Sequence, residues 1–147
     1  MDVSLTSMYK MMQRLWRERP EVLRSLLRKR MVAWRRMRAV ERVEKPLRMD
    51  RARALGYKAQ QGYVVALVRV RRGGFSKPRP RSGRRPKAIG VVRHKVNVSI
   101  KEEAVQRFRK HFPNLKPLGA YPLAQDSLYR WYEVVALDPS HPAVKAH

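Results

Sequence analysis

The chain has 147 residues, the usual size of one domain, and carries 35 Lys or Arg against 11 Asp or Glu. Its formal net charge of +24 predicts polyanionic partners, while a hydrophobic content of 44% is typical of a folded chain rather than a disordered one. The lack of Cys excludes disulfides, zinc thiolate sites and cysteine nucleophiles. No apolar run approaches the length of a signal-peptide core or a membrane span, so we expect a protein that does not span a membrane and is cytoplasmic, or nuclear if eukaryotic.

Charge is distributed unevenly along the sequence. Residues 1–60 hold 17 basic and 6 acidic side chains, residues 61–100 hold 11 and none, and residues 101–147 hold 7 and 5. An evenly solvated protein would place acidic side chains in all three segments. The middle segment is therefore the predicted contact surface, and the last segment is the predicted packing unit.

Two amphipathic helices are predicted at the start of the chain. Met and Trp recur at helical spacing through residues 4–19, and Pro20 ends this helix and suits the first turn of the next. The apolar positions of the two helices are Met8, Met11, Met12, Leu15 and Trp16, then Leu23, Leu26, Leu27, Met31, Trp34 and Met37. We interpret them as core, with a Met-rich groove for apolar peptides as the alternative. The opposite face of the second helix, Arg24, Arg28, Lys29, Arg35, Arg36 and Arg38, is either solvated or contacts phosphate.

A short edge strand and a short helix are expected next. Residues 40–48 alternate in polarity, and Pro46 restricts this strand to the edge of a sheet. Asp50 is expected to cap a helix over residues 51–55, which Gly56 ends.

The most β-prone run of the sequence, residues 62–70, leads directly into a basic arm. Residues 69–87 hold nine Lys or Arg, three Gly, three Pro and no acidic residue. Gly and Pro prevent helix continuation and central strand pairing, and Pro favours an extended backbone. We therefore predict that residues 72–90 form an extended arm that is disordered in the free protein and ordered by RNA. Phe75 could stack on an unpaired base or pack against the body of the domain.

The last third predicts a strand, a helix and a hairpin. Residues 91–98 are a candidate strand. Residues 99–102, SIKE, form a capping box, so a helix begins near Ile100 and closes at Pro113. A β-hairpin is predicted from residues 118–123 and 128–137.

The sequence offers no convincing catalytic or metal-binding pattern. Its four His residues, His94, His111, His141 and His147, show no paired helical spacing and no clustered acids. Asp50, Glu102 and Glu103 suit helix starts, and Glu133 lies in a strand where it can pair with Arg or Lys. We expect no metal, no cofactor and no small-molecule substrate.

One long stretch resembles a known family. The run DRARALGYKAQQGYVVALVRVRRGG, residues 50–74, with the basic run that follows to residue 87, closely resembles the eukaryotic-type ribosomal protein L15 (L15e) family of archaeal and eukaryotic large subunits. Three flanking segments agree in content and order. These are SMYKMMQRLWRERP, PLRMD, and FPNLKPLGAY followed by YRWYEVVALDPSHPA. The chain departs from the family pattern at Gln60, Phe75, Pro122 and Leu123.

The resemblance implies a structural, non-catalytic protein of the cytoplasmic ribosome. It implies an α+β fold: a small, mostly antiparallel sheet with packed helices, an N-terminal helical segment and an extended basic arm. The expected single rRNA-binding domain, residues 1–147, comprises a basic helical part (1–60), a strand (61–71), the arm (72–90) and an α/β packing part (91–147). Partners would be large-subunit rRNA and neighbouring ribosomal proteins. The implied RNA contacts, or their immediate supports, are Arg51, Arg53, Tyr57, Lys58, Arg69, Arg71, Arg72, Lys77, Arg79, Arg81, Arg84, Arg85 and Lys87.

Three other functions stay open on the sequence alone. One is a general nucleic-acid compaction, chaperone or ribosome-assembly protein without a fixed place in the subunit, which would tolerate scrambling of the arm. Another is an RNA-processing enzyme that uses Asp50 and Glu133. The third is a peptide or membrane binder that uses the Met-rich helices.

Overall fold

A four-stranded antiparallel sheet forms the centre of the computed structural model, which describes residues 7–74, 76–91 and 96–145. Its strands are β1 (Val40–Val43), β2 (Tyr63–Arg71), β3 (Lys116–Gln125) and β4 (Tyr129–Leu137), in the order β1-β2-β4-β3. Five α-helices accompany it in the described residues: α1 (Met8–Glu18), α2 (Glu21–Arg36), α3 (Met49–Ala54), α4 (Ile100–His111) and α5 (Pro142–Lys145). The predicted α+β fold is confirmed.

Helices cover both faces of the two central strands. Along β2, Val68 and Val70 are buried on one face, whereas Arg69 and Arg71 follow Leu67 on the other, as the period of two requires. Strand β4 is buried on both faces, with Trp131 and Val134 fully inaccessible on opposite sides. Strands sandwiched in this way read as nearly continuous apolar runs rather than as alternating ones.

The first three helices pack on the face that carries Trp131. Trp16 of α1, Leu27 of α2 and Ala52 of α3 are buried there. The ring centroids of Trp34 and Trp131 lie 6.0 Å apart, a separation typical of favourable aromatic pairs.

Helix α4 packs on the opposite face. Its Ala104 and Phe108 are fully buried in a cluster that includes Val68 and Val134. The predicted cap is confirmed, because Ser99 Oγ accepts a hydrogen bond from the Glu102 amide at 3.1 Å.

The apolar positions of α1 are not all core. Trp16 is buried, but Met8 and Met11 are 61% and 62% exposed and Leu15 is 45% exposed. The interpretation of the apolar stripe as core is therefore wrong for these three, and also for Leu26 of α2 and Met37 after it, which are 43% and 41% exposed. Helix α1 rests on the domain through the side of Trp16, and Met8 and Met11 face solvent.

The expected cap at Asp50 is also wrong. Helix α3 begins two residues earlier than predicted, at Met49, and no side chain caps it. The carboxylate of Asp50 is fully buried and accepts a hydrogen bond from Arg48 Nη2 at 3.2 Å. Burial of this ion pair explains the difference, because a cap carboxylate would have to face the helix amides instead. Gly56, with φ of 96°, follows the helix as predicted.

The predicted edge strand and hairpin are confirmed, and the candidate strand at residues 91–98 is not found. Residues 92–95 of that candidate lie outside the described residues, and residues 91 and 96–98 are not in a strand. The other sheet edge, β3, contains Pro117 and Pro122, and its pairing with β4 shifts register at each of them.

Candidate nucleic-acid interface

The described arm residues, 72–74 and 76–90, contain no strand or α-helix and only one short 3-10 turn, Pro86–Ala88. The cations at the centre of the arm are exposed and, within the part of the chain that the structure describes, form no ion pair. These are Arg79, Arg81, Arg84, Arg85 and Lys87. Lys77 is half-buried. Because residues 61–100 hold no acidic side chain, the arm has no counter-charge of its own.

The root of the arm is anchored to the turn of the β3–β4 hairpin. The amide of Arg72 donates to the carbonyl of Leu128 at 2.6 Å, which extends the β2–β4 ladder by one residue. Arg72 Nη1 also donates to the carbonyl of Asp126 at 2.7 Å. The neighbouring Arg71, at the end of β2, is exposed. These bonds fix the direction in which the arm leaves the sheet.

The guanidinium of Arg69 makes two contacts within the domain. Its Nη1 donates to the carbonyl of Arg35 at 2.6 Å, and its Cζ lies 4.8 Å from the centroid of the Tyr129 ring. The carbonyl of Arg69 accepts a hydrogen bond from Arg107 Nη1 at 2.8 Å. Arg69 therefore ties β2 to both α2 and α4, and suits the role of a support better than that of a direct contact.

Asp126 at the hairpin turn joins the same network. Its Oδ2 accepts from Arg35 Nε at 2.7 Å, and its Oδ1 accepts from the amides of Leu128 and Tyr129. Burial alone would raise the pKa of Asp126, but the two amides and the Arg35 guanidinium outweigh it and lower that pKa. The carboxylate therefore stays charged and holds α2 to the turn.

This network brings the end of α2 beside the arm. Because Arg35 contacts both Arg69 and Asp126, the C-terminal end of α2 lies near the root of the arm, and the exposed Arg36 and Arg38 follow Arg35 in the chain. On the first half of the same helix, Arg24 and Arg28 pair with Glu21, at 4.0 and 2.8 Å. The sequence flagged the arginine face of α2 but gave no sign that its C-terminal half adjoins the arm, since that proximity depends on tertiary contacts.

The remaining predicted residues lie on and after α3. Arg51 and Lys58 are exposed, and Arg53 is exposed with its Cζ 5.7 Å from the centroid of the Tyr9 ring. Tyr57 is half-buried and meets Tyr63 edge to face, with ring centroids 6.3 Å apart. These residues lie near the start of β2, whereas the arm leaves its end. The structure thus separates the predicted residues into two groups.

Arg48 is a residue that sequence reasoning missed. Its side chain is only 11% exposed, pairs with Asp50, and stacks over Trp16 with Cζ 4.9 Å from the ring centroid. This contact fastens α1 to α3. Arg48 Nε and Asp50 Oδ1 are buried without a hydrogen-bond partner among the described residues.

Glu133 is structural. Its carboxylate accepts the amide of Leu47 at 2.8 and 3.1 Å, a backbone partner in place of the expected Arg or Lys. Burial raises the pKa of Glu133, against the hydrogen bonds that would lower it. Burial, and then the charge of Glu133, raises the pKa of Tyr121. Among the described residues no three His, Asp or Glu side chains are grouped to hold a metal ion.

None of the described helices is long and apolar enough to cross a bilayer. In a comparison with protein families, the model of the family described as Ribosomal L15 (L15e) matches residues 7–147, nearly the whole chain. This is the family whose motifs the sequence resembles.

Proposed function

Because the chain belongs to the Ribosomal L15 (L15e) family, and is therefore a structural constituent of the large ribosomal subunit and not an enzyme, we propose that it binds and stabilises folded rRNA through its basic arm and the adjoining arginine surface. The observation that carries this proposal is the set of exposed arm cations that form no ion pair within the described residues. Cations without counter-charges are costly to keep close together unless an external polyanion neutralises them.

The energetics of such binding are mainly electrostatic. Each rRNA phosphate that the protein neutralises releases condensed counterions, which gives a salt slope of about −0.7 to −0.9 per contact. With roughly ten contacts, affinity would fall by several decades on moderate addition of salt.

Specificity is proposed to come from the shape of the RNA. Arg outnumbers Lys in the arm, and its planar fork binds phosphates bidentately and stacks on bases. The anchored root at Arg72 limits where the arm can reach. A folded RNA that presents phosphates along that direction would be preferred over an unstructured polyanion.

The test compares two forms of the arm. Purified large-subunit rRNA is titrated with the wild-type protein and with a variant in which residues 76–87 are scrambled at constant composition. We expect a site-specific protein to lose at least tenfold in affinity on scrambling and to stay on the large-subunit peak of a sucrose gradient through a high-salt wash. Equal affinity of the scrambled variant, together with release by the wash, would favour a general nucleic-acid-binding or assembly protein.

A second measurement follows the arm itself. We expect the amides of residues 76–90 to exchange rapidly in the free protein and to become protected when rRNA is added. Protection of these amides before RNA is added would contradict ordering on binding.

A further inference from the structure

An open cleft of about 1010 Å³ lies at the end of the sheet opposite the arm. Its lining includes Tyr63, which begins β2, whereas the arm follows Arg71 at the other end of the same strand. At about 3.3 Å per residue, the two ends of β2 are roughly 26 Å apart. The cleft is at the upper end of the range of volumes that hold small organic groups.

Three aromatic rings line this cleft. Tyr57 and Tyr63 stand edge to face at 6.3 Å, and Phe112 follows α4. All three are half-buried, so each ring keeps part of its surface open to a ligand. Aromatic faces of this kind stack on unpaired bases of any sequence.

Polar groups that suit the edge of a base stand beside the rings. The side-chain amides of Gln61 and Asn114 line the cleft, are exposed, and have no hydrogen-bond partner within the described residues. Gln60 uses its amide nitrogen to bind the carbonyl of Ala143 at 3.3 Å. An amide group offers both a donor and an acceptor, which matches the mixed pattern on a base edge.

The wall that carries these groups is fixed in place. The carbonyl of Gly62 accepts the amide of Asp138 at 2.7 Å, and a Cβ at Gly62 would lie 2.5 Å from Val144. Gly62 also has φ of 91°, which favours glycine. Gln61 and Tyr63, on either side, are thereby held against the C-terminal segment.

We propose that this cleft binds an unpaired nucleobase of RNA, stacked against the tyrosines and hydrogen-bonded by the free amides. The exposed Arg42 and Lys45 at the cleft supply charge for the phosphates of the same nucleotide. The inference rests on the proposed rRNA-binding function and adds a second, base-directed contact to the phosphate-directed arm.

The groups that line the cleft favour RNA over an acidic peptide. An acidic peptide would find the same cations, but it would leave the free amides and the aromatic pair without a planar partner. Two carboxylates, Glu44 and Asp138, also line the cleft and would repel an acidic peptide, whereas Arg42 and Lys45 form no ion pair within the described residues. A ligand with a neutral, planar head and a charged backbone therefore fits better than a wholly anionic one.

The experiment measures binding of purified large-subunit rRNA to matched variants. Tyr63→Leu removes a stacking ring, and Gln61→Ala with Asn114→Ala removes the amides without touching the core. Tyr63→Phe keeps the ring, and Gln106→Ala removes an exposed amide on α4, outside the cleft lining. We expect a loss on the order of tenfold for Tyr63→Leu, the size of one stacked base, a similar loss for the double amide variant, which removes two neutral hydrogen bonds, and no change for the controls. The salt slope should stay at the wild-type value, because no phosphate contact is lost.

The outcomes separate the two proposals. If the wild-type protein binds rRNA and the Tyr63→Leu and Gln61→Ala/Asn114→Ala variants bind it with the same affinity, the proposed base site in the cleft is wrong. The proposal that the arm binds rRNA would stand. Failure of the wild-type protein to bind rRNA would overturn both. Ultraviolet cross-linking of intact large subunits gives an independent reading. We expect a nucleotide adduct on the peptide that contains Tyr57 and Tyr63. A cross-link from this peptide to another polypeptide, in place of RNA, would contradict base binding in the cleft.

Discussion

Arg72 and Asp126, which are 54 positions apart, are joined by a 2.7 Å hydrogen bond from the Arg72 guanidinium to the Asp126 carbonyl. The bond connects the first residue of the basic arm to the turn of the β3–β4 hairpin. A guanidinium engaged in this way acts by aiming the residues that follow it.

The salt dependence of RNA binding should distinguish aiming residues from phosphate contacts. Arg72→Gln should weaken rRNA binding by about 2- to 13-fold, equivalent to roughly 0.5–1.5 kcal/mol of added ordering cost, and leave the salt slope unchanged. Arg81→Gln, a matched change at an exposed arm position, should reduce the magnitude of the slope by about 0.7–0.9. Filter binding over a range of salt concentrations measures both. A reduced slope for Arg72→Gln would show that Arg72 contacts phosphate itself.

Asp126 should make the free energy of unfolding depend on pH in the acid range. Its pKa is lowered in the folded state, so its stabilisation is present above the ordinary pKa of 3.8 and is lost as pH falls through the folded value. Asp126→Ala should cost roughly 1–3 kcal/mol at pH 7, since two amides and Arg35 lose an acceptor. Urea denaturation between pH 2 and pH 7 measures this. If the free energy of unfolding of Asp126→Ala falls with decreasing pH as steeply as that of the wild-type protein, the prediction is wrong.

Glu133 should make the free energy of unfolding depend on pH with the opposite sign. Its folded pKa is raised, so its favourable contribution is complete below the ordinary value of 4.5 and is lost as pH rises through the folded value. Glu133→Gln keeps an acceptor for the Leu47 amide without a buried charge, and should leave stability at pH 7 equal or higher by about 1 kcal/mol. Glu133→Leu leaves that amide unpaired and should cost about 1–3 kcal/mol. Chemical denaturation of both variants at pH 7 measures their free energies of unfolding. A Glu133→Gln variant that is less stable than Glu133→Leu would contradict the prediction.

The buried pair of Arg48 and Asp50 should be costly to break from one side. Asp50→Ala leaves the Arg48 guanidinium buried without its partner and should destabilise the fold by about 3–5 kcal/mol. Arg48→Met with Asp50→Leu removes both charges and should cost clearly less than Asp50→Ala. Chemical denaturation of the two variants gives the comparison, and an equal loss in both would show that packing, not charge, dominates at this site.

Local patterns predicted the elements of the fold. The Ser99 cap, the helix that follows it, the β2 run and the hairpin are each specified by residues within a few positions of one another. Such signals do not depend on how the chain folds back. They were therefore correct within a few residues at each end.

Contacts between distant segments were beyond the reach of the sequence. Asp50 suits a cap by local rules, but in the structure it pairs with Arg48, whose guanidinium lies over Trp16 of a distant helix. Arg69 and Arg72 resemble their neighbours in the basic run, yet their guanidinium groups bind carbonyls 34 and 54 positions away. The separation of supports from exposed cations arises only in three dimensions.

The sheet edge formed by β3 has a further consequence. Pro117 and Pro122 remove amide donors from this edge, and the register shifts beside them interrupt its regular pleat. A second chain cannot add a continuous strand there. Because an exposed, regular edge is a template for edge-to-edge association, these two prolines disfavour the stacking of identical copies of the chain into aggregates.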